Sequence, residues 1–239
     1  MDATMISVVL PCYNERELAI RNTQRVHTYL KGLGWSFELL VCDDASNDGT
    51  AALLQELRQP EIRVCRYEKG PSRRENLGLT LAEGKGDVLV YMDMDLSTEM
   101  EHLQSLVSPV ERGEYDIAIG SRYRQGASVQ REFHRLFYSY FYNLTIRLLF
   151  GSRILDHQCG FKAFRREAYL ELVKEMGYDG QYSRGWFWDA ELLIRAQRKK
   201  LRILELPVKW IRAEKSSFNF TRELKVIPYM LRLKRRLQG

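Results

Sequence analysis

The chain has 239 residues, of which 45% are hydrophobic and 28% charged, and its formal net charge at pH 7 is +6. These fractions are typical of water-soluble globular domains, so they exclude disorder and a chain embedded in a bilayer, and the length suits one domain. The excess positive charge lies mainly in residues 122–153 and 222–236, which favours a phosphate-bearing partner such as a nucleotide, a nucleic acid or an anionic lipid.

Targeting and redox signals are few. The four cysteines form no CxxC pair and the four histidines are scattered, which argues against disulfides, a zinc site or a histidine metal site. The N-terminus has no charged-then-apolar leader, and no run of about 18 apolar residues is present. We therefore expect a cytoplasmic protein whose contact with a membrane, if any, is peripheral.

Strand and helix patterns alternate through the first 92 residues. Apolar, β-branched runs predict strands at 6–10, 37–42, 62–67 and 87–92. The spacing of apolar residues, with glycine or proline as stop signals, predicts helices at 15–33, 49–57 and 72–83. This order predicts an α/β fold with a doubly wound, mostly parallel sheet that binds ligands at the carboxyl ends of its strands.

The second half of the chain is less regular. A helix should follow Met100, a strand should span 116–119, and an aromatic, basic helical segment should span 133–150. Further helices are predicted at 184–196 and 222–235, with a short strand near 201–206. Because no linker or repeat separates the halves, we expect one domain of 1–239.

Paired carboxylates follow the most apolar of the predicted strands. Asp93 and Asp95 flank Met94 directly after residues 87–92, so in extended geometry both carboxylates face one side of the strand end. Such a pair suits Mg²⁺ or Mn²⁺ bridging to substrate phosphates, although two aspartates before Ser97 and Thr98 could also be capping residues. Neither a G-x-G-x-x-G turn nor a Walker loop is present, so metal and side chains would hold the phosphates.

Three motifs in order carry a family resemblance. They are Val8-Val9-Leu10-Pro11-Cys12-Tyr13-Asn14-Glu15, Asp43-Asp44-Ala45-Ser46-Asn47-Asp48-Gly49-Thr50 and Asp93-Met94-Asp95-Leu96. Together they resemble family 2 glycosyltransferases of the GT-A fold, a Rossmann-like sheet flanked by helices. With residues 120–123, 156–162 and 186–193, the likeness extends to the polyprenyl-phosphate hexose synthases, among them the dolichyl-phosphate glucose and mannose synthases. The resemblance covers nearly the whole chain and implies a nucleotide-sugar half at 1–120 and an acceptor half at 121–239.

The resemblance also implies which residues hold the donor. Pro11, Tyr13 and Glu15 would line the base and ribose pocket, and Asp44 would bond the base. The metal would sit on Asp93 and Asp95, with Met94 between them. Arg122 would bind the donor phosphates, since a guanidinium can take two oxygens at once. Arg212 and Lys215 fall where the family carries further cations, although Lys215-Ser216-Ser217 replaces the family's Gly-Ser-Lys.

The aromatic, basic segment has a polar residue at every fourth position. Arg135, Ser139, Asn143 and Arg147 would form one stripe on a helix whose other faces are apolar. The pattern suits a lipid phosphate at a membrane surface, and it equally suits a core-packed helix with a solvated stripe. The resemblance favours the first and implies that Arg135 and Ser139 bind the acceptor phosphate. The terminal segment, which is also basic and apolar, suits anionic headgroups or a solvated helix end.

We expect three catalytic residues. Asp95 and Arg122 would act through the metal and the donor phosphates, and Asp189 is the candidate for the third. In relatives that glycosylate hydroxyls, a carboxylate near this place deprotonates the acceptor, whereas a phosphate acceptor is already anionic and needs no base. Asp189 could instead pair with an arginine such as Arg184 or Arg195.

The resulting hypothesis is metal-dependent hexose transfer to a polyprenyl phosphate, with inversion expected from the family and a UDP-sugar slightly preferred over GDP-mannose. Transfer to a hydroxyl of a glycan or lipid-linked saccharide, and a non-enzymatic nucleotide-binding module, are the alternatives. We expect no nucleic-acid partner, because the carboxylates would repel a phosphate backbone unless a metal intervenes. The membrane surface and a membrane-bound subunit are the further candidate partners.

Overall fold

A computed structural model describes residues 4–72, 74–130, 133–179, 184–211 and 226–238, with backbone only at 133–135 and 238. The strands are β1 (Met5–Cys12), β2 (Ser36–Asp43), β3 (Ile62–Arg66), β4 (Val88–Met92), β5 (Ile117–Ser121), β6 (Ser128–Gln130), β7 (Phe161–Arg165), β8 (Ile203–Pro207) and β9 (Lys209–Ile211). The helices are α1 (Arg16–Gly32), α2 (Thr50–Gln55), α3 (Glu75–Ala82), α4 (Leu103–Glu111), α5 (Phe133–Phe150), α6 (Arg166–Met176), α7 (Phe187–Arg198) and α8 (Ile227–Gln238). A single 3₁₀ turn, Met100–His102, precedes α4.

Seven strands form the central sheet in the order β3-β2-β1-β4-β7-β5-β8. Strand β1 pairs in parallel with β2 and with β4, β2 pairs in parallel with β3, and β5 pairs in parallel with β8. Strand β7 lies between β4 and β5 and is antiparallel to both. The predicted mostly parallel α/β sheet is therefore confirmed. Strands β6 and β9 form a separate parallel pair.

Side-chain alternation along β1 explains why helices cover both faces of the sheet. Val8 and Leu10 pack into one hydrophobic cluster, which α1 and α4 cover, while Val9 packs into another, which α3, α6 and α7 cover. A third cluster joins α5, α7 and α8 through residues such as Ile146, Ile194 and Leu233. No helix among the described residues is long and apolar enough to cross a membrane.

The carboxyl ends of β1, β2 and β4 lie side by side. Cys12 is in register with Asp43, and Val9 is in register with Tyr91, so the polar clusters that follow these strands share one edge. The turn after each strand contains a non-glycine residue with positive φ: Asn14 (52°), Ala45 (68°) and Leu96 (53°). A left-handed conformation is unfavourable for alanine and leucine, and such strain concentrates at functional sites.

Candidate active site

The two aspartates after β4 each use one carboxylate oxygen within the protein. Oδ1 of Asp93 accepts a hydrogen bond from Nη2 of Arg74 at 3.2 Å. Oδ1 of Asp95 accepts from the backbone N and the hydroxyl of Ser97, at 2.9 and 2.6 Å. Asp95 therefore does cap the turn, which is the capping role considered from the sequence. Its Oδ2, like that of Asp93, makes no hydrogen bond among the described residues.

The free oxygens fit a hard divalent cation. No group of three or more His, Cys, Asp or Glu side chains suited to hold a metal occurs in the described part of the chain. Magnesium, however, is commonly held by one or two carboxylates that are supplemented by water and substrate phosphates. Burial raises the pKa of Asp93, helped by the charge of Asp95, and a cation would relieve this.

Gly160 has no side chain, and the Asp93 carboxylate occupies the space where one would lie. The backbone N of Asp93 donates to the carbonyl of Gly160 at 2.9 Å, and a Cβ at position 160 would overlap the carboxylate of Asp93. Glycine at position 160 thus leaves room for the Asp93 carboxylate in this orientation. The donor set and this cradle together fit a metal on Asp93 and Asp95.

Glu15 adds a third carboxylate to this edge. Burial, with contributions from the charges of Asp95 and then Asp93, raises the pKa of Glu15 to about 7. Glu15 precedes α1, and its carbonyl accepts the first helical hydrogen bond from Ala19 at 2.7 Å. Beside it, Tyr13 exposes 39% of its surface, so its ring is available for stacking. Pro11 lies within β1 and is half-buried.

Asp44 lies at the end of β2 and is buried. Its Oδ1 accepts from the backbone N of Ser72 at 2.9 Å and from Nδ2 of Asn76 at 2.5 Å. A Cβ at Gly70 would overlap the backbone carbonyl of Asp44 and come close to its carboxylate, so a glycine shapes the second acidic position as well. The preceding Asp43 accepts from the backbone N of Ser46 at 3.2 Å and thereby orients the turn.

Met94 is buried between the two aspartates. Its carbonyl accepts from Nδ2 of Asn22 in α1 at 2.8 Å, which ties the turn to the helix that follows β1. Its side chain belongs to the core, and its contribution to donor binding stays a prediction.

Arg122 is buried and paired with one acidic partner. Its Nε and Nη2 donate to the two carboxylate oxygens of Asp156 at 2.7 and 2.8 Å, and its backbone N donates to the same side chain at 3.0 Å. Burial would raise the pKa of Asp156, but Arg122 outweighs it and holds the pKa below its usual value. Asp156 thus occupies the edge of the guanidinium formed by Nε and Nη2, and binding two phosphate oxygens through that edge would require this pair to open.

Arg122 also reaches the predicted acceptor residue. Its Nη2 lies 3.4 Å from the hydroxyl of Ser139, which donates to Oε1 of Gln158 at 3.0 Å. Ser139 is buried on the inner side of α5. Arg135 lies in the first turn of α5, but its side chain is outside the described residues, as are Arg212 and Lys215 entirely.

Two of the four stripe residues on α5, Ser139 and Asn143, face inward. Ser139 and Asn143 are buried, and Asn143 accepts from the backbone N and Nδ1 of His157. Among the described side chains of this helix, the solvent-exposed ones are apolar or aromatic: Phe137, Tyr138, Tyr140, Phe141 and Leu148. Two of the four stripe residues, Ser139 and Asn143, are therefore not solvated, whereas Arg147 is half-buried and the side chain of Arg135 lies outside the described residues.

Asp189 is buried among ion pairs. Its carboxylate lies 2.9 Å from Nε of Arg74 and 3.2 Å from Nζ of Lys162, and it accepts from the hydroxyl of Tyr91. Burial would raise its pKa, but Lys162 and Arg74 outweigh burial and hold the pKa below its usual value. The expected partners differ, because Arg184 pairs with Glu75 and Glu191, and Arg195 with Glu191 and Glu175.

Several site residues had no assigned role in the sequence analysis. Arg74 lies in a run of charged residues of the kind found at the start of many exposed helices, so its sequence gives no sign of burial. Trp186 belongs to the motif at residues 186–193, which assigns it no separate role. The motif at residues 156–162 contains Asp156, Gly160 and Lys162, and it was the one sequence signal for their importance. Their partners could not be predicted, because they depend on the pairing of β7 with β4.

Comparison with known proteins decides the family. The model of the family described as glycosyl transferase family 2 matches residues 7–173. The chain belongs to this family. Family membership makes the protein an enzyme and removes the alternative of a non-enzymatic binding module.

Two curated relatives and one solved structure show the range of similarity. Glycosyltransferase AglD of Haloferax volcanii is 40% identical over 212 residues, covering 86% of this chain and 33% of that protein. Polyprenol monophosphomannose synthase of Mycolicibacterium smegmatis is 34% identical, covering 87% of this chain and 77% of that protein. This family 2 chain thus spans only a third of the first relative's length.

The structural match covers almost the whole chain. The crystal structure of glucosyl-3-phosphoglycerate synthase from Mycobacterium tuberculosis, in complex with Mn²⁺, uridine diphosphate and glucosyl-3-phosphoglycerate, has a TM-score of 0.68. It is 24% identical and covers 97% of this chain and 80% of that structure. The match supports the GT-A fold, and at this identity it supports the fold alone.

Proposed function

We propose that this glycosyltransferase transfers a hexose from a nucleotide sugar to a polyprenyl phosphate, with a UDP-sugar preferred over GDP-mannose. The observation that carries the proposal is the burial of Asp189 between Arg74 and Lys162. A carboxylate held by two cations at a depressed pKa is a poor proton acceptor, so the acceptor should be a group that is already anionic. The name of the mycobacterial relative, polyprenol monophosphomannose synthase, supports the same acceptor.

The donor would bind at the shared edge of β1, β2 and β4, in the half formed by residues 1–120. Tyr13 offers a stacking face for the base, and Asp44 and Glu15 offer carboxylates for base and ribose. Asp93 and Asp95 would hold Mg²⁺ or Mn²⁺, which when bound neutralises charge on the departing diphosphate. The Mn²⁺ and uridine diphosphate of the mycobacterial structure support only the use of a divalent cation with a nucleotide donor.

The acceptor would approach from the side of α5, in the half formed by residues 121–239. Ser139 lies on the inner side of this helix, 3.4 Å from Nη2 of Arg122. The two residues would offer a phosphate a hydroxyl and those guanidinium donors that Asp156 does not occupy. The outer side exposes Phe137, Tyr140 and Phe141. This orientation suits a helix that rests on a lipid surface while its polar inner side receives the lipid phosphate.

The direct test is transfer of labelled glucose or mannose from UDP-glucose or GDP-mannose to a short polyprenyl phosphate with Mn²⁺. We expect a product that survives mild base and is hydrolysed by mild acid, because a glycosyl phosphate is acid-labile, with a higher kcat/KM for UDP-glucose. Transfer to a hydroxyl of a lipid-linked saccharide, with no transfer to polyprenyl phosphate, would support the alternative that uses Asp189 as a base. A higher kcat/KM for GDP-mannose would overturn only the sugar preference.

The exposed side of α5 gives a prediction about membranes. Phe137→Ser combined with Phe141→Ser should weaken sedimentation with anionic phospholipid vesicles about tenfold or more, because each buried phenylalanine contributes ~1.5–3 kcal/mol. Leu79→Ser, at an exposed apolar residue on α3, is the matched control and should not change binding. Equal binding by both variants and the wild type would contradict the assignment of this helix to the membrane.

A further inference from the structure

One buried arginine connects the two carboxylates of the active site. Arg74 immediately precedes α3, and only 2% of its surface is exposed. Its Nη2 donates to Asp93 at 3.2 Å, and its Nε lies 2.9 Å from Oδ2 of Asp189. Its guanidinium also lies over the rings of Trp186 and Tyr91, 4.7 and 5.3 Å from their centroids. Its position is therefore fixed on every side by charge or by packing.

Asp189, the second carboxylate that Arg74 contacts, is itself held by buried neighbours. Lys162 is completely buried and donates to the hydroxyl of Tyr91 at 2.8 Å and to the carbonyl of Cys159 at 2.5 Å. Both Lys162 and Tyr91 contact Asp189. Asp189 thus has partners on three sides, and its distance from any substrate is set by the arginine that stands between it and Asp93.

The charges explain why both cations are needed. Two cations, Arg74 and Lys162, face two carboxylates, those of Asp189 and Asp93, so the cluster is neutral in total. An arginine beside a metal ligand would normally repel the metal, but Asp189 compensates its charge from behind. Oδ1 of Asp93 is held by the arginine and its Oδ2 is left for a ligand.

We propose that Arg74 is a positioning residue for the metal pair, holding the Asp93 carboxylate in its ligating orientation, and that Asp189 anchors Arg74 instead of acting as a base. The inference rests on the proposed metal-dependent function. The planar fork of arginine presents separate nitrogens, Nε and Nη2, to the two carboxylates, whereas all the donors of lysine radiate from one nitrogen at the end of a flexible stem. Partners behind a metal ligand commonly contribute 10- to 100-fold to metal affinity.

The experiment measures Mn²⁺ affinity by electron paramagnetic resonance, with and without UDP. Arg74→Lys, which keeps the charge, and Asp189→Asn should each raise the Mn²⁺ dissociation constant about tenfold or more. The double variant should be little worse than either single variant, because both changes break the same chain of contacts. Arg63→Lys, at an exposed arginine paired with Glu83, is the matched control and should bind Mn²⁺ like the wild type.

The outcomes separate the alternatives. If Asp189→Asn loses turnover while its Mn²⁺ affinity is unchanged, Asp189 acts on the substrate and the inference is overturned. Wild-type affinity in a folded Arg74→Lys variant overturns it too. If Arg74→Lys does not fold, Asp189→Asn and the milder Tyr91→Phe decide, and unchanged affinity in both rejects the inference. A wild-type protein that binds no Mn²⁺ with either UDP or GDP instead refutes the metal dependence of the proposed function.

Discussion

Replacing Asp95 with alanine should lower sugar transfer by at least about a hundredfold, because a metal at a departing phosphate contributes several kcal/mol of charge stabilisation. The loss should be in kcat and in Mn²⁺ affinity together, measured in the polyprenyl phosphate assay and by metal titration. Removing metal from the wild type with EDTA should have the same effect, and added Mn²⁺ should restore activity to the wild type but not to the variant.

Asp95→Asn separates metal binding from capping. Asp95 also accepts two hydrogen bonds from Ser97, so alanine removes both a charge and a cap. Asparagine keeps an oxygen that can accept from Ser97 but loses the negative charge. We therefore expect Asp95→Asn to be nearly as inactive as Asp95→Ala while its thermal stability stays close to that of the wild type. Full activity in Asp95→Asn would mean that Asp95 only caps the turn.

The first half of the fold follows closely from its sequence. Strands β1, β2 and β4 are mostly apolar, interrupted only at Ser7 and Glu38, and polar residues follow close behind each, which is the pattern of buried parallel strands. Because such strands align their carboxyl ends, the neighbourhood of Tyr13, Asp44 and Asp93 could be predicted before any contact was known. The central antiparallel strand β7 could not, since Lys162 interrupts its apolar run and reads as an exposed position.

The ion-pair partners of the buried charged residues could not be predicted from the sequence. Arg122 was expected on donor phosphates, and the structure pairs it with Asp156, 34 residues away. Asp189 was expected near Arg184 or Arg195 and instead contacts Arg74 and Lys162. Both differences arise because a buried charge requires a counter-charge, and which one is supplied depends on how β5 packs beside β7, and on how α3 and α7 pack on β4 and β7.

The stripe on α5 shows a related limit. A period of four predicted the helix and the common face of Ser139 and Asn143, and the structure has both. Periodicity cannot state which face turns inward, and apolar residues normally do. Here Ser139 and Asn143 turn inward, where Arg122 and His157 bond them, and the exposed side chains described on this helix are apolar or aromatic.

Gly160 should be as sensitive as the aspartates themselves. In Gly160→Ala the new methyl group would take the space of the Asp93 carboxylate, which must then rotate away from its position beside Asp95. We expect Mn²⁺ affinity to fall more than about tenfold and transfer to fall at least as far. Thermal stability should change little, because the atoms that must move are the free end of one half-buried side chain.

Gly32→Ala is the control for the added methyl group. Gly32 ends α1, and a Cβ there meets nothing within 4 Å, so activity and Mn²⁺ affinity should match the wild type. A Gly160→Ala protein that binds Mn²⁺ normally would show that Asp93 ligates no metal, since its carboxylate and the methyl group cannot share one position. Loss of metal binding together with unfolding would instead point to the contact between β4 and β7, where Asp93 N meets the carbonyl of Gly160. Circular dichroism of the same samples distinguishes these two causes.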